Sequence, residues 1–510
     1  MAKRTLEAPF LMKARTVAIA MALILSISLL MSSLSNPGHA QTGKAVPSDP
    51  VSGRYEGSGQ SKEMGELVLM LELNNDNGSL TGSLTASTAN FPLPAVAFVG
   101  VNVIPMDQER VLRAQTVIVK NGRIAEMGAA GRVRVPRGAV NVDGRGKYLM
   151  PGLIDMHVHL FSDDKELSLF IANGVTTVRN MAGQPSHLRL RARIREGQVF
   201  GPTVYTCGPL LLGYKDAGVV GRQVNEQCAA GYDCIKIYNI MDWSEQAYNA
   251  AVDAAQSKGV PAVGHLPRNL PIETTLRPGR QTVEHVEELL YPYFFKLQDR
   301  FDEGKIRYVA GLMNGAGISI DPTLTVYHYI RLIVADASFQ QLVNRPELQY
   351  ISPQVRNQWI SNNSYRKRFT DKDLPFLDKS MAFLRKLARG LHDGGVRTLL
   401  GTDTSEDQPF LLPGFSIHEE LRELVDAGLT PYEALRAGTV NAAETLNASR
   451  EIGTVSIGKR ADLLLLDHNP LEDISAASHR SGVMLGGRWL TQADLDKMLE
   501  QLAAQYANQN

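Results

Sequence analysis

Four histidines, one lysine and one aspartate stand at spacings that suit metal chemistry: His157, His159, Lys236, His265, His285 and Asp403. His157 and His159 are two residues apart, which turns both side chains of a strand to one face. Imidazoles and a carboxylate ligate divalent cations. A lone histidine on a strand is more often a hydrogen-bonded core residue. Four of them, with a lysine and an aspartate, at the ends of several short apolar runs are not explained that way.

Those runs define the elements that must position them. Between about 147 and 447, short apolar strands alternate with helical stretches, the rhythm of βα units and a parallel sheet. Eight strands are expected: Leu153–His159, Thr176–Arg179, Thr203–Thr206, Cys234–Tyr238, Ala262–His265, Thr282–His285, Ile318–Pro322 and Thr398–Asp403. Eight such units predict an α/β fold with a (β/α)8 TIM-like barrel over 147–448. The six chemical side chains then converge on the C-terminal rim, where barrel enzymes build their sites. A helical, aromatic and charged insertion over 325–395 follows strand seven and reads as a lid or binding loop.

The flanks read differently. Residues 96–146 and 449–490 carry short β-branched runs separated by turns, and predict one small composite β-sandwich built from both ends of the chain. Residues 41–95 form an N-terminal extension with a β-hairpin, Leu67–Leu73 turning through Asn77-Gly78 into Leu80–Thr85. Residues 491–510 predict a C-terminal helix. The first 40 residues carry Lys3, Arg4, Lys13 and Arg15, then an apolar run from Thr16 to Leu34, and Gly38-His39-Ala40 before Gln41. That is a signal peptide pattern, with an uncleaved anchor as the alternative. Cleavage after Ala40 predicts a periplasmic or secreted protein with no stable membrane anchor.

The chain has 510 residues, of which 44% are hydrophobic and 21% charged. Disorder is thereby excluded. Basic and acidic residues number 53 each, falling to 49 and 52 once residues 1–40 are removed. Neither balance favours nucleic acid as a partner. Three cysteines, Cys207, Cys228 and Cys234, are too few for a disulfide scaffold. Cys228 and Cys234 could close a short loop, although Cys234 reads as facing inward on a strand; Cys207 has no partner in either case.

Pro151-Gly-Leu-Ile-Asp-Met-His-Val-His159, Gly264-His265, Glu284-His285 and Gly401-Thr-Asp403 resemble the amidohydrolase superfamily of metal-dependent hydrolases. Asp233-Cys-Ile-Lys236-Ile-Tyr238 narrows the resemblance to its imidazolonepropionase-like and Xaa-Pro dipeptidase-like members. The resemblance covers about residues 96–490. It implies that Lys236 reacts with carbon dioxide to form a carbamate bridging two divalent ions, most simply Zn2+. His157, His159 and Asp403 would hold one ion, and His265 and His285 the other. A buried ammonium beside cations is disfavoured, which makes the carbamate coherent; a plain Lys236 ammonium paired with Asp403 beside one metal is the alternative.

The same resemblance implies attack by a metal-bridging hydroxide on a carbonyl, with Asp403 moving the proton to a leaving amine. The expected substrate is a small molecule, a dipeptide-like or N-acyl amino acid cleaved at its C–N amide bond. Rival readings are a cyclic amide, lactone, carbamate or organophosphate hydrolase, and a non-catalytic binding protein. Tyr238, His328 and Arg179 are the expected substrate contacts. Packing, a surface position and a rim salt bridge are their respective alternatives. Arg366, Lys367 and Arg368 read as a solvated face. His187, His392, His418, His468 and His479 lie off the strand ends and carry no assigned role. Assembly into a homo-oligomer through helical faces stays open.

Overall fold

The computed structural model describes residues 53–61, 65–76, 79–88, 94–160 and 165–507. The expected signal segment lies outside them. Two compact units divide the chain, one ending at Thr88 and one from Ala89 onward. The first is a three-stranded antiparallel sheet, β1 (Gly53–Ser61), β2 (Gly65–Asp76) and β3 (Ser79–Thr88). Strands β2 and β3 pair from Leu67 opposite Thr88 to Asp76 opposite Ser79, the hairpin expected around Asn77-Gly78. Strand β1 was not legible, because its Gly- and Ser-rich run has no β-branched residue and only pairing with β2 reveals it.

The second unit opens with β4 (Val96–Val103), β5 (Leu112–Lys120), β6 (Arg123–Ala129), β7 (Val140–Asp143) and β8 (Tyr148–Pro151). It ends with β16 (Leu463–Leu466), β17 (Arg480–Leu485) and β18 (Arg488–Thr491). All eight belong to one sheet, in the order β18-β17-β16-β8-β4-β5-β6, with β7 paired to β4. The opening and closing β blocks of this unit therefore meet at β8 and β16, where Leu464 lies opposite Met150. Phe98, Val117, Leu149, Leu463 and Met484 are among the buried side chains of its core. The predicted C-terminal helix spans Gln492–Ala507.

Between them run β9 (Leu153–Val158), β10 (Val175–Asn180), β11 (Thr203–Thr206), β12 (Ile235–Ile237), β13 (Ala262–Gly264), β14 (Thr282–Glu284) and β15 (Ser319–Asp321). They pair in parallel as β11-β10-β9, β12-β13 and β14-β15. Single parallel bridges join Cys207 to Cys234, Ala262 to Arg280, Ile320 to Thr398 and Val158 to Thr404. Helices separate successive strands, giving a TIM-barrel-like α/β arrangement. The eighth expected strand, Thr398–Asp403, has the position of a strand but is not a continuous one. It bonds to its neighbours through Leu399 N–H to Ile320 O (2.8 Å) and Met156 N–H to Leu400 O (2.8 Å). Its end leaves the extended region because Asp403 has φ 57°.

The pairing of Cys207 with Cys234 corrects the sequence reading. These two residues form a disulfide across the bridge between β11 and β12, and half-buried Cys228 is the free thiol. Parallel strands brought the sulfurs together across 27 residues, which local spacing could not reveal.

Candidate metal centre

The C-terminal end of the eighth segment is fixed by hydrogen bonds to strand one. Buried Asp155 accepts from Thr402 Oγ1 at 2.8 Å, from Thr402 N–H at 3.1 Å and from His157 N–H at 3.2 Å. Burial pushes its carboxyl up to about 7 in spite of those bonds. This ties the segment bearing Asp403 to the strand bearing His157. Gly401 is required there, since a Cβ would stand 2.2 Å from Asp321 Oδ2 and 2.7 Å from His157 Cβ.

Four of the six expected ligands are linked by atom-to-atom distances, and ring contacts join the other two. His157 Nε2 and His159 Nε2 lie 3.1 and 3.0 Å from Asp403 Oδ1. Lys236 Nζ lies 3.2 Å from His157 Nε2. The His157 ring is 4.6 Å from that of His285, which is 4.7 Å from that of His265, the sixth member. His157, His285 and Asp403 offer donor atoms within 4.8 Å of one another, as a shared cation requires. Gly264 lets Lys236 reach in: its φ is 113°, and a Cβ there would stand 2.8 Å from Lys236 Cδ.

Each inner imidazole is oriented by a group behind it. His157 Nδ1 lies 3.2 Å from Glu284 Oε2, His265 Nδ1 lies 3.4 Å from Glu288 Oε1, and His285 Nδ1 lies 2.7 Å from Thr323 Oγ1. That leaves Nε2 of each ring for a cation, the arrangement by which metal-binding histidines are fixed. His285, Thr323 and Asp403 all have left-handed backbone, with φ of 68°, 45° and 57°. Such conformations cost roughly 1–3 kcal/mol each in non-glycine residues and gather at functional sites.

Burial sets the protonation of these groups. It pushes His265 down to about 4 and His285 well below the usual imidazole range, so both are neutral, ligand-competent rings near pH 7. Burial also lowers Lys236 to about 8, against the pull of Glu284 and Asp403. For Asp403 burial works upward, but His157 and His285, with hydrogen bonds from His157 and His159, outweigh it and hold the carboxyl well below its ordinary value. Neutral His265 and His285 beside an ionised carboxylate fit a divalent metal.

A cavity of about 740 Å3 opens over this cluster and reaches His159, Tyr238, His265, His285 and Asp403. Tyr238 keeps the position expected of it, with its ring edge-on to His265 at 4.5 Å. The other two expected substrate contacts do not reach the cavity. Arg179 is 1% exposed and lies inside the strands, donating to Glu284 Oε1 at 2.8 Å and to Met156 O at 2.7 Å. Its charge neutralises the carboxylate behind His157, so it is a positioning residue, as the salt-bridge alternative held. His328 lies on the helix Leu324–Val334 and faces Glu423 at 3.0 Å, which Arg385 also grips. The amphipathic turn of that helix sends Tyr327 to the cavity and His328 outward.

Other cavity groups were not singled out by the sequence. Arg368, exposed as the solvated-face reading expected, also lines it, over the Phe369 ring at 5.1 Å. His187 lies on the wall, its Nδ1 3.1 Å from Gln184 N. Gln408 donates to Asp403 Oδ2 at 2.8 Å. Glu288 binds Arg268 at 2.8 Å, and Arg268 in turn covers the Tyr291 ring at 3.6 Å.

Residues 148–490 match the model of the amidohydrolase family. The chain belongs to that family. The family is metal-dependent, and with the relatives below it marks the chain as a hydrolase acting on C–N bonds. Among curated proteins, ochratoxinase of Aspergillus niger is 24% identical over 416 residues, covering 73% of this chain and 81% of its own. Adenine deaminase of Moorella thermoacetica is also 24% identical, over 369 residues, but there the amidohydrolase chain spans only half the relative's length. Among solved structures, a putative prolidase from Bifidobacterium longum superposes with a TM-score of 0.61 at 25% identity, over 81% of this chain and 99% of that one. A bottromycin amidohydrolase gives 0.65 at 24% identity, over 81% and 90%.

Proposed function

We propose that this amidohydrolase is an exported binuclear metal enzyme that hydrolyses the C–N amide bond of a dipeptide-like or N-acyl amino acid. The clustering of His157, His159, Lys236, His265, His285 and Asp403, four of which line one cavity, carries the reading. His157, His159 and Asp403 would hold one ion and His265 and His285 the second, with carbamylated Lys236 between them. The ions, most simply Zn2+, would polarise the substrate carbonyl and lower the pKa of water.

The chain's own residues supply the rest. Asp403 is ionised, so it can accept a proton from the attacking water and pass it to the leaving nitrogen. Glu284, Glu288 and Thr323 would hold the imidazoles in register, and Tyr238 would touch the substrate's carbonyl or carboxylate. The eight parallel segments form, in this reading, a closed (β/α)8 barrel, with the mixed sheet as the composite β domain beside it. The relatives' printed activities, a prolidase and amide-cleaving enzymes among them, favour an amide over a lactone or phosphotriester.

Export to the periplasm or beyond rests on the positive and apolar N-terminal segment. The Cys207–Cys234 disulfide supports it, because such bonds persist in oxidising compartments. The test is a panel assay on zinc-reconstituted mature protein, setting N-acyl amino acids and dipeptides against lactones and phosphotriesters. Turnover of the amides supports the reading. Turnover confined to lactones or phosphotriesters overturns it.

A further inference from the structure

Four of the six expected ligands, His159, His265, His285 and Asp403, line the cavity of about 740 Å3, a volume within the range that houses drug-sized ligands, and they account for only part of its wall. Apart from Tyr238, its aromatic lining is Tyr291, Phe295, Tyr327, Tyr365, Phe369 and Phe376. Four of these come from the insertion after β15, and Tyr291 and Phe295 from the segment after β14. The rings run together: Tyr291 meets Phe295 edge-on at 5.7 Å, Phe295 meets Phe301 at 6.3 Å, and Phe301 meets Phe376 at 6.2 Å. Phe376 is 41% exposed, an apolar ring left to water at a cavity wall.

Chemistry and lining are thus divided. Strand ends hold the ligands, while the insertion contributes a broad apolar and aromatic face. A dipeptide of small residues would reach the metal end and leave that face wet. A flat aromatic group would cover the rings in edge or offset contacts, the geometry they favour. The wall also carries charged groups, Glu287 and Arg368 among them, while Arg268, the guanidinium against Tyr291, is paired with Glu288.

We propose that the amide cleaved by this enzyme carries a large aromatic group, seated among Tyr291, Phe295, Tyr327, Phe369 and Phe376, with the scissile carbonyl at the metal end. This rests on the amide-hydrolase reading and adds the substrate class. The insertion is then the specificity element, and the strand ends are the reaction element.

Two matched pairs test it on zinc-reconstituted mature protein: N-(2-naphthoyl)glycine against N-acetylglycine, and N-acetyl-2-naphthylalanine against N-acetylalanine. The naphthyl member of at least one pair should have a kcat/KM about 100-fold higher, the size expected for burying one large aromatic group. Phe369→Ala and the more exposed Phe376→Ser should each lower that ratio, with melting temperature confirming that both fold. A ratio near one in both pairs, with the amides cleaved, overturns the proposal and leaves the hydrolase reading intact. Binding is read separately, by quenching of naphthyl fluorescence in Asp403→Asn protein. Saturable quenching without cleavage of any amide by the parent would uphold the aromatic site and reject the hydrolase reading. Absence of both cleavage and quenching would overturn the proposal.

Discussion

Gln408 and Asp403 are joined by a hydrogen bond from the Gln408 amide to Asp403 Oδ2, 2.8 Å long. The other Asp403 oxygen is the one facing His157 and His159. Gln408 is held in turn by Tyr365 of the insertion, whose hydroxyl donates to Gln408 Oε1 at 2.7 Å. The carboxylate proposed to move the proton is therefore oriented from outside the metal cluster.

Gln408→Leu should lower kcat by about 10- to 100-fold, the range for losing a group that orients a metal ligand. KM and melting temperature should change little, and Tyr365→Phe should give a smaller loss of the same kind. Steady-state kinetics decides; an unchanged kcat would show that the bond does no orienting.

Thr323 bears on the other side of the centre. Its hydroxyl is 2.7 Å from His285 Nδ1 and its backbone is left-handed, so the ring depends on an unusual turn. Thr323→Ala should weaken zinc binding by about 10- to 100-fold in a chelator competition, while Thr323→Ser retains it. Equal affinities in all three proteins would remove Thr323 from the account.

Much of this centre was legible because period-two spacing and strand-end position are local properties. His157, His159, Lys236, His265, His285 and Asp403 needed only the βα rhythm to be placed together. The groups behind them were not legible. Glu284 and His285 should point to opposite faces of a strand, but the φ of 68° at His285 breaks the alternation and both approach His157. Arg179 reads as a rim cation until Glu284, 105 residues away, is seen to hold it inside. The cysteine pairing likewise depended on which strands became neighbours.

Cys207→Ser with Cys234→Ser should destabilise the folded chain by about 3 to 4 kcal/mol, from the entropy of a loop spanning 27 residues. Denaturant midpoints measure this, and thiol titration of the unreduced parent should find Cys228 alone. Three reactive thiols would refute the pairing.

His418 gives a pH signature away from the metals. Its Nε2 lies 3.0 Å from Asn173 O, and burial, with Arg480 nearby, pushes the ring down to about 3. The unfolded chain titrates this group near about 6.5. Between those values the unfolded state holds more protons, so this contribution is full above about pH 6.5 and is lost as pH falls toward 3. His418→Gln should remove a slope of up to about 1.4 kcal/mol per pH unit from the acid limb. Parallel limbs in parent and variant would contradict it.

Metal stoichiometry tests the central claim most directly. Elemental analysis of the zinc-reconstituted protein, paired with turnover of the best amide, should find two ions per chain, with activity lost on chelation and restored by zinc. Full turnover in protein stripped of metal, or saturation at fewer than two ions per chain, would contradict the binuclear centre.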